Sequence, residues 1–163
     1  MLSDITTANC LVCRKQHGEV AVPGGFIYED DLIAISHAQF FGEEKAHYLG
    51  HIFVESKRHV PELADLTGEE AQAVGLWISR VARALLETEG MEHVYSFFIA
   101  DGVPHVHMHV IGRRPGAPRE YWGPRVDDWP QAPRGGEAEI AQVADRVRTY
   151  VRDHYKRLAS NLE

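Results

Sequence analysis

Hydrophobic and polar positions along the chain switch between a two-residue and a 3.6-residue period. Phe26–Tyr28 and Leu32–Ser36 are short apolar runs on either side of the acidic turn Glu29-Asp30-Asp31, which predicts two strands. A loop through Gly42–Lys45 leads to a third strand, Tyr48–Glu55. Thr67 followed by Glu70 has the form of a capping box. Beyond it Ala71, Val74, Ile78, Val81 and Leu85, flanked by Trp77, recur at helical spacing until Gly90 supplies a stop. Val94–Ile99 reads as a buried strand, and a turn at Asp101-Gly102 precedes another at 105–111. A last helix from about Glu137 to Leu158 carries Ile140, Val143, Ala144, Val147 and Val151 on one side. Strands joined by short connections without helices favour an antiparallel sheet over βαβ units.

The final strand carries the most chemistry. His105, His107 and His109 alternate with Val106, Met108 and Val110, and residues two apart on a strand share a face. Three imidazoles in register are costly to desolvate without partners. A polar site is the sharper reading, and a half-exposed, histidine-rich strand the blander one.

Composition narrows the function. The 163 residues predict a single domain, 1–163, with 44% hydrophobic and 25% charged positions typical of a soluble globular protein. A formal charge of −7 argues against a general nucleic-acid binder, although the local field of a pocket still permits a small anion. No apolar run reaches membrane-spanning length, so no membrane partner is expected. The start Met1-Leu2-Ser3-Asp4-Ile5 lacks the features of an export signal, and a cytoplasmic location is expected. There the two cysteines do not read as a structural disulfide.

Cys10-Leu11-Val12-Cys13 has the spacing at which two thiolates grip one ion, and tetrahedral zinc then needs two further ligands. Two unrelated cysteines or a redox dithiol remain open. Redox pairs usually open a helix after a strand, whereas this pair lies between Ala8-Asn9 and Arg14-Lys15, which favours zinc. Residues 113–136, rich in Pro, Gly, Arg and Trp, form a long loop of either functional or packing character.

The pattern at 105–111 resembles the signature of the histidine triad (HIT) family of nucleotide hydrolases and transferases. Tyr28–Asp31, Gly50–His59, Thr67–Gly90 and Arg113-Arg114-Pro115 are similar to its other segments, so the resemblance covers about residues 10–115, with 116–163 as an extension. It implies an α+β, HIT-like fold: an antiparallel sheet of about five strands, one long helix packed on it, then a C-terminal loop and helix. It implies a homodimer and a small-molecule nucleotide substrate. By the same resemblance His107 would attack the α-phosphorus of a phosphoanhydride, phosphoester or phosphoramidate, forming a nucleotidyl-histidine that water hydrolyses. His109 would protonate the leaving group. His51 and backbone amides near Gly102 would stabilise charge, and Arg113 and Arg114 would contact phosphate. Cys10, Cys13, His59 and His105 would hold one structural zinc per chain.

Two departures stand out. Where the family places an acid for the ribose hydroxyls at the end of the second strand, this chain has His37, and Val103-Pro104 replaces a polar phosphate contact before the triad. Two other readings of the same residues are an open catalytic zinc on the histidine strand and a non-catalytic nucleotide-binding dimer.

Overall fold

The fold is taken from a computed structural model described for residues 7–39 and 43–159, with side chains to residue 155. The start at Met1–Ile5 and the loop residue Gly42 lie outside the described residues. In chain order the elements are α1 (Leu11–Gln16), β1 (Tyr28–Glu29), β2 (Ile33–His37), β3 (His47–Tyr48), β4 (His51–Ser56), α2 (Gly68–Glu89), β5 (His93–Phe98), β6 (His107–Arg113), β7 (Arg134–Gly135) and α3 (Glu137–Ala159). Five strands form one antiparallel sheet in the order β1-β2-β4-β6-β5, and β3 pairs with β7 beside it. The architecture is α+β, with the long helix and the C-terminal helix both on one face of the sheet.

That helix-covered face holds the core. Ile33, Ile35, Ile52, Val54 and Val110 meet Val74, Trp77, Val81 and Leu85 of α2 and Val143, Val147 and Val151 of α3. Each such side chain contributes about 1.5–3 kcal/mol on leaving water, so these two helices stabilise the sheet and leave its other face for chemistry. Thr67 and Glu70 close a reciprocal capping box at the start of α2, and Gly90 ends the helix in the left-handed conformation at φ +63°. The buried stripe is rotated from the expected one: Trp77 and Ala84 are buried, Ile78 is partly covered and Ala71 is exposed.

Three local expectations are corrected. The run Tyr48–Glu55 is two strands, because the chain turns at Gly50, whose φ of +106° suits glycine alone and where a Cβ would strike Met91. Residues 11–16 are helical, although the sequence over 1–24 reads as polar and turn-rich. The strand at 93–98 is partly exposed instead of buried, because it is the outer edge of the sheet. The Pro- and Trp-rich segment packs against the sheet through Val126, Ala132 and Trp129, which gather around Tyr48 and Ile111.

Candidate active site and metal centre

Register decides which side chains meet on the open face. Pairing of β4 with β6 sets His51 opposite Ile111, Phe53 opposite His109 and Glu55 opposite His107. His51, Phe53, Glu55, His107 and His109 thus share the face that the helices leave free.

His107 Nδ1 lies 2.6 Å from the carbonyl oxygen of His105. A carbonyl only accepts, so Nδ1 carries the proton and Nε2 keeps its lone pair. Burial pushes the His107 pKa below the usual 6.5, opposed by the bond to His105 and by the nearby Glu55 charge, so the ring is neutral at pH 7. It is 8% exposed and lines a pocket with Lys15, Gln39, Phe53, Glu55 and Val103.

His109 belongs to a line of imidazoles. Its Nδ1 is 2.9 Å from His51 Nε2, and His51 Nδ1 is 3.1 Å from His47 Nε2. Burial followed by the neighbouring His107 and His47 lowers the His109 pKa to about 4. Burial pushes His51 well below its usual range, and adjacent imidazoles push it further. The line is therefore neutral at pH 7 and can shift protons by exchanging tautomers.

A second cluster sits behind His107. The Sγ atoms of Cys10 and Cys13 and the Nδ1 atoms of His59 and His105 lie within 4.8 Å of one another. Neighbouring donors are 3.4 Å apart for Cys10–His105 and Cys13–His59, 3.5 Å for Cys13–His105 and 3.3 Å for His59–His105. Zinc bonds of about 2.0–2.3 Å in a tetrahedron place ligand atoms about 3.3–3.8 Å apart, so the donor set fits that ion. His105 Nε2 donates to the Ser56 carbonyl at 2.8 Å, which keeps the ring proton on Nε2 and leaves Nδ1 for a metal. Burial, helped by the adjacent Cys10 thiol, pushes the Cys13 pKa up to about 12. Thiolates in this setting need a cation to stabilise them. Contrary to the sequence reading, the pair does open a helix, since Cys10 is the N-cap of α1. Among the described residues no strand leads into it, and its partners are histidines.

The remaining candidates lie elsewhere. Gly102 is exposed in the β5–β6 connection. Arg113 is the last residue of β6 and Arg114 follows it, at the opposite end of the strand from His107. Arg113 stacks on Trp122 and bonds Tyr95 and Glu92, and Arg114 bonds the carbonyls of Glu89 and Leu49. The structure does not bring these arginines to the pocket.

His37 is nearly fully buried, with Nδ1 2.5 Å from the Ala38 carbonyl and Nε2 accepting from the Gly50 amide at 3.0 Å. Burial lowers its pKa to about 4. The unfolded chain binds this proton near pH 6.5, whereas the folded chain refuses it until about pH 4. Stability is complete above the unfolded pKa and falls as the pH drops through this window, by up to about 3 kcal/mol from this group. Urea midpoints between pH 7 and 4.5 should therefore fall more steeply in the native chain than in His37→Asn; equal slopes would exclude the effect.

Sequence reasoning missed Lys15, His47 and Glu55. Glu55 had a signal, the two-residue alternation that sets it on the face of His51. His47 stands four residues before His51 across a turn that the sequence concealed, and Lys15 depended on recognising α1.

The comparisons with known proteins agree with the fold. A family model, the HIT domain, matches residues 19–116. The chain belongs to the HIT family. This HIT protein is 30% identical over 104 residues to the purine nucleoside phosphoramidase of Escherichia coli K12, covering 60% of this chain and 82% of that one. It is 38% identical over 74 residues to the Caenorhabditis elegans nitrilase and fragile histidine triad fusion protein, covering 41% of this chain and 16% of that relative. Its fold matches a zinc-bound histidine triad family protein of Mycobacterium smegmatis with a TM-score of 0.67 at 21% identity, covering 91% of this chain and 99% of that one. Among the described residues, no helix is long and apolar enough to cross a membrane.

Proposed function

We propose that this HIT protein is a hydrolase or nucleotidyl transferase acting at the α-phosphorus of nucleotidyl phosphoramidates, phosphoanhydrides or phosphoesters. One observation carries the reading: the His105 carbonyl holds the His107 Nδ1 proton, leaving a neutral Nε2 in a ring that lines a pocket. The E. coli phosphoramidase relationship supports the substrate class. His107 Nε2 attacks phosphorus as the bond to the leaving amine or oxygen breaks; the charge of the bound phosphate draws a proton from solvent onto His109, which passes it to that group. Water then attacks the nucleotidyl-imidazole and returns a proton to His109, and the monophosphate leaves with His107 free. His51 holds His109 in orientation through the 2.9 Å contact. The Gly102 amide, exposed in the β5–β6 connection, is a backbone donor for an incoming phosphate, and Arg113 and Arg114 keep the far end of β6 in place.

Cys10, Cys13, His59 and His105 would hold zinc. Four protein ligands complete a tetrahedron, so the bound ion would supply a cross-link that braces β6 next to His107. An open catalytic metal on the histidine strand has no geometric support: His105 turns to the cysteines, and His107 Nδ1 is committed to a carbonyl.

Incubation with adenylyl and guanylyl phosphoramidates, dinucleoside polyphosphates and nucleotide sugars should release a monophosphate from at least one class. Rapid alkaline quench, which preserves the acid-labile P–N bond, should trap a nucleotidyl adduct on His107. An adduct on another residue, or turnover without one, would refute the scheme. The open edge of β5 is where a second copy would extend the sheet into a homodimer, and a monomeric mass in light scattering would exclude that assembly.

A further inference from the structure

The pocket beside His107 contains a buried ion pair that the transfer chemistry leaves unused. Lys15 of α1 crosses the open face to bond Glu55 of β4 and lies 3.1 Å from Ser36 Oγ of β2. Lys15 is 6% exposed and Glu55 fully buried, and both side chains line the pocket. Lys15 occupies one carboxylate oxygen. The other, Glu55 Oε2, has no hydrogen-bond partner among the described residues, and neither does Oε1 of Gln39, another pocket-lining side chain. Buried acceptors without donors are costly.

The two opposite charges leave this part of the pocket with acceptors and no net charge, and Leu11, Val12, Phe53 and Val103 make the rest of its wall apolar. Such a wall disfavours an ion and suits neutral hydroxyl donors set on an apolar frame. A nucleotide placed with its phosphorus at His107 presents such donors on its sugar. The residue standing near the family's ribose acid does not compete for them, because both ring nitrogens of His37 are already engaged.

We propose that Glu55, fixed by Lys15, accepts hydrogen bonds from the sugar hydroxyls of the substrate, with Gln39 as a second acceptor. This assignment rests on the nucleotidyl-transfer reading above and names the residues that give that site its sugar specificity. Glu55 stands opposite His107 in the strand pairing, so the readout that identifies its role is discrimination between sugars and not turnover alone.

The test compares a ribonucleoside 5′-phosphoramidate with its 2′,3′-dideoxy counterpart on the zinc-loaded chain, alongside calorimetric binding of the two monophosphates. The native chain should favour the ribose form about 10- to 100-fold in kcat/KM and in affinity, as expected for hydrogen bonds to a charged acceptor. Glu55→Gln keeps the shape and removes the charge. It should reduce that preference to within about threefold while still turning over the dideoxy substrate, since His107 is untouched. Gln39→Leu probes the contact from another side chain and should lower the preference by a smaller factor, which guards against a folding defect in the first variant. Equal treatment of the two sugars by the native chain, or an undiminished preference in both variants, would overturn the proposal. If the native chain turned over neither phosphoramidate, the transfer reading would fail, and the monophosphate affinities would still decide the hydroxyl subsite.

Discussion

His107→Ala should lower kcat/KM by about 10⁴-fold or more while the protein stays folded, because the change removes the only atom assigned to bond phosphorus. Among the described residues the imidazole makes one hydrogen bond, to the His105 carbonyl, and losing it costs about 1–2 kcal/mol. A domain of this size tolerates that loss. The variant should keep its native circular dichroism, bind nucleoside monophosphate and form no nucleotidyl adduct. His107→Gly leaves room beside Phe53 for free imidazole, which should restore part of the turnover. His109→Ala should behave differently: the adduct still forms, slowly for poor leaving groups and faster for those that depart without a proton. A His107→Ala variant within tenfold of native activity would show that another group attacks phosphorus.

The two periodicities made the sheet, α2 and α3 legible in the sequence. Strand pairing aligns residues of alternating polarity, so His107 and His109 announced their face, whereas His105, expected on the same strand, stands before the start of β6 and turns to the cysteines. The helix α3 buries Ile140, Val143, Ala144, Val147 and Val151 as their spacing implies. The metal donors were legible only in combination. Cys10 and Cys13 have a recognisable spacing, whereas His59 and His105 join them through the fold, 46 and 92 residues from Cys13. The Lys15–Glu55 pair was hidden, since neither the pairing register nor the position of a six-residue helix can be read from local pattern. The roles expected of Arg113 and Arg114 came from their nearness to the triad in sequence. On a strand, six residues span about 20 Å, enough to carry Arg113 from the pocket to the stacking site against Trp122.

Metal removal should have the second large effect, and it should act through α1. Six residues are too few for an isolated helix to persist in water. Among the contacts that hold α1 down, the cluster of Cys10 and Cys13 with His59 and His105 is the one a metal would turn into a cross-link. Zinc is expected at about one per chain in protein purified without chelator. At a free-metal concentration about 1,000 times Kd, binding to the folded state alone adds about 4 kcal/mol. Domains of this length shift by about 2–4 °C per kcal/mol, so chelation should lower Tm by roughly 8–16 °C. Cys13→Ser should reproduce most of that fall without chelator. Because Leu11, Val12 and Lys15 of α1 form one wall of the pocket beside His107, amide exchange should quicken at residues 11–16 first, and monophosphate affinity should weaken before the sheet melts. Stoichiometric zinc whose removal left both Tm and nucleotide affinity unchanged would show that α1 stands without it and that the metal does not brace the site.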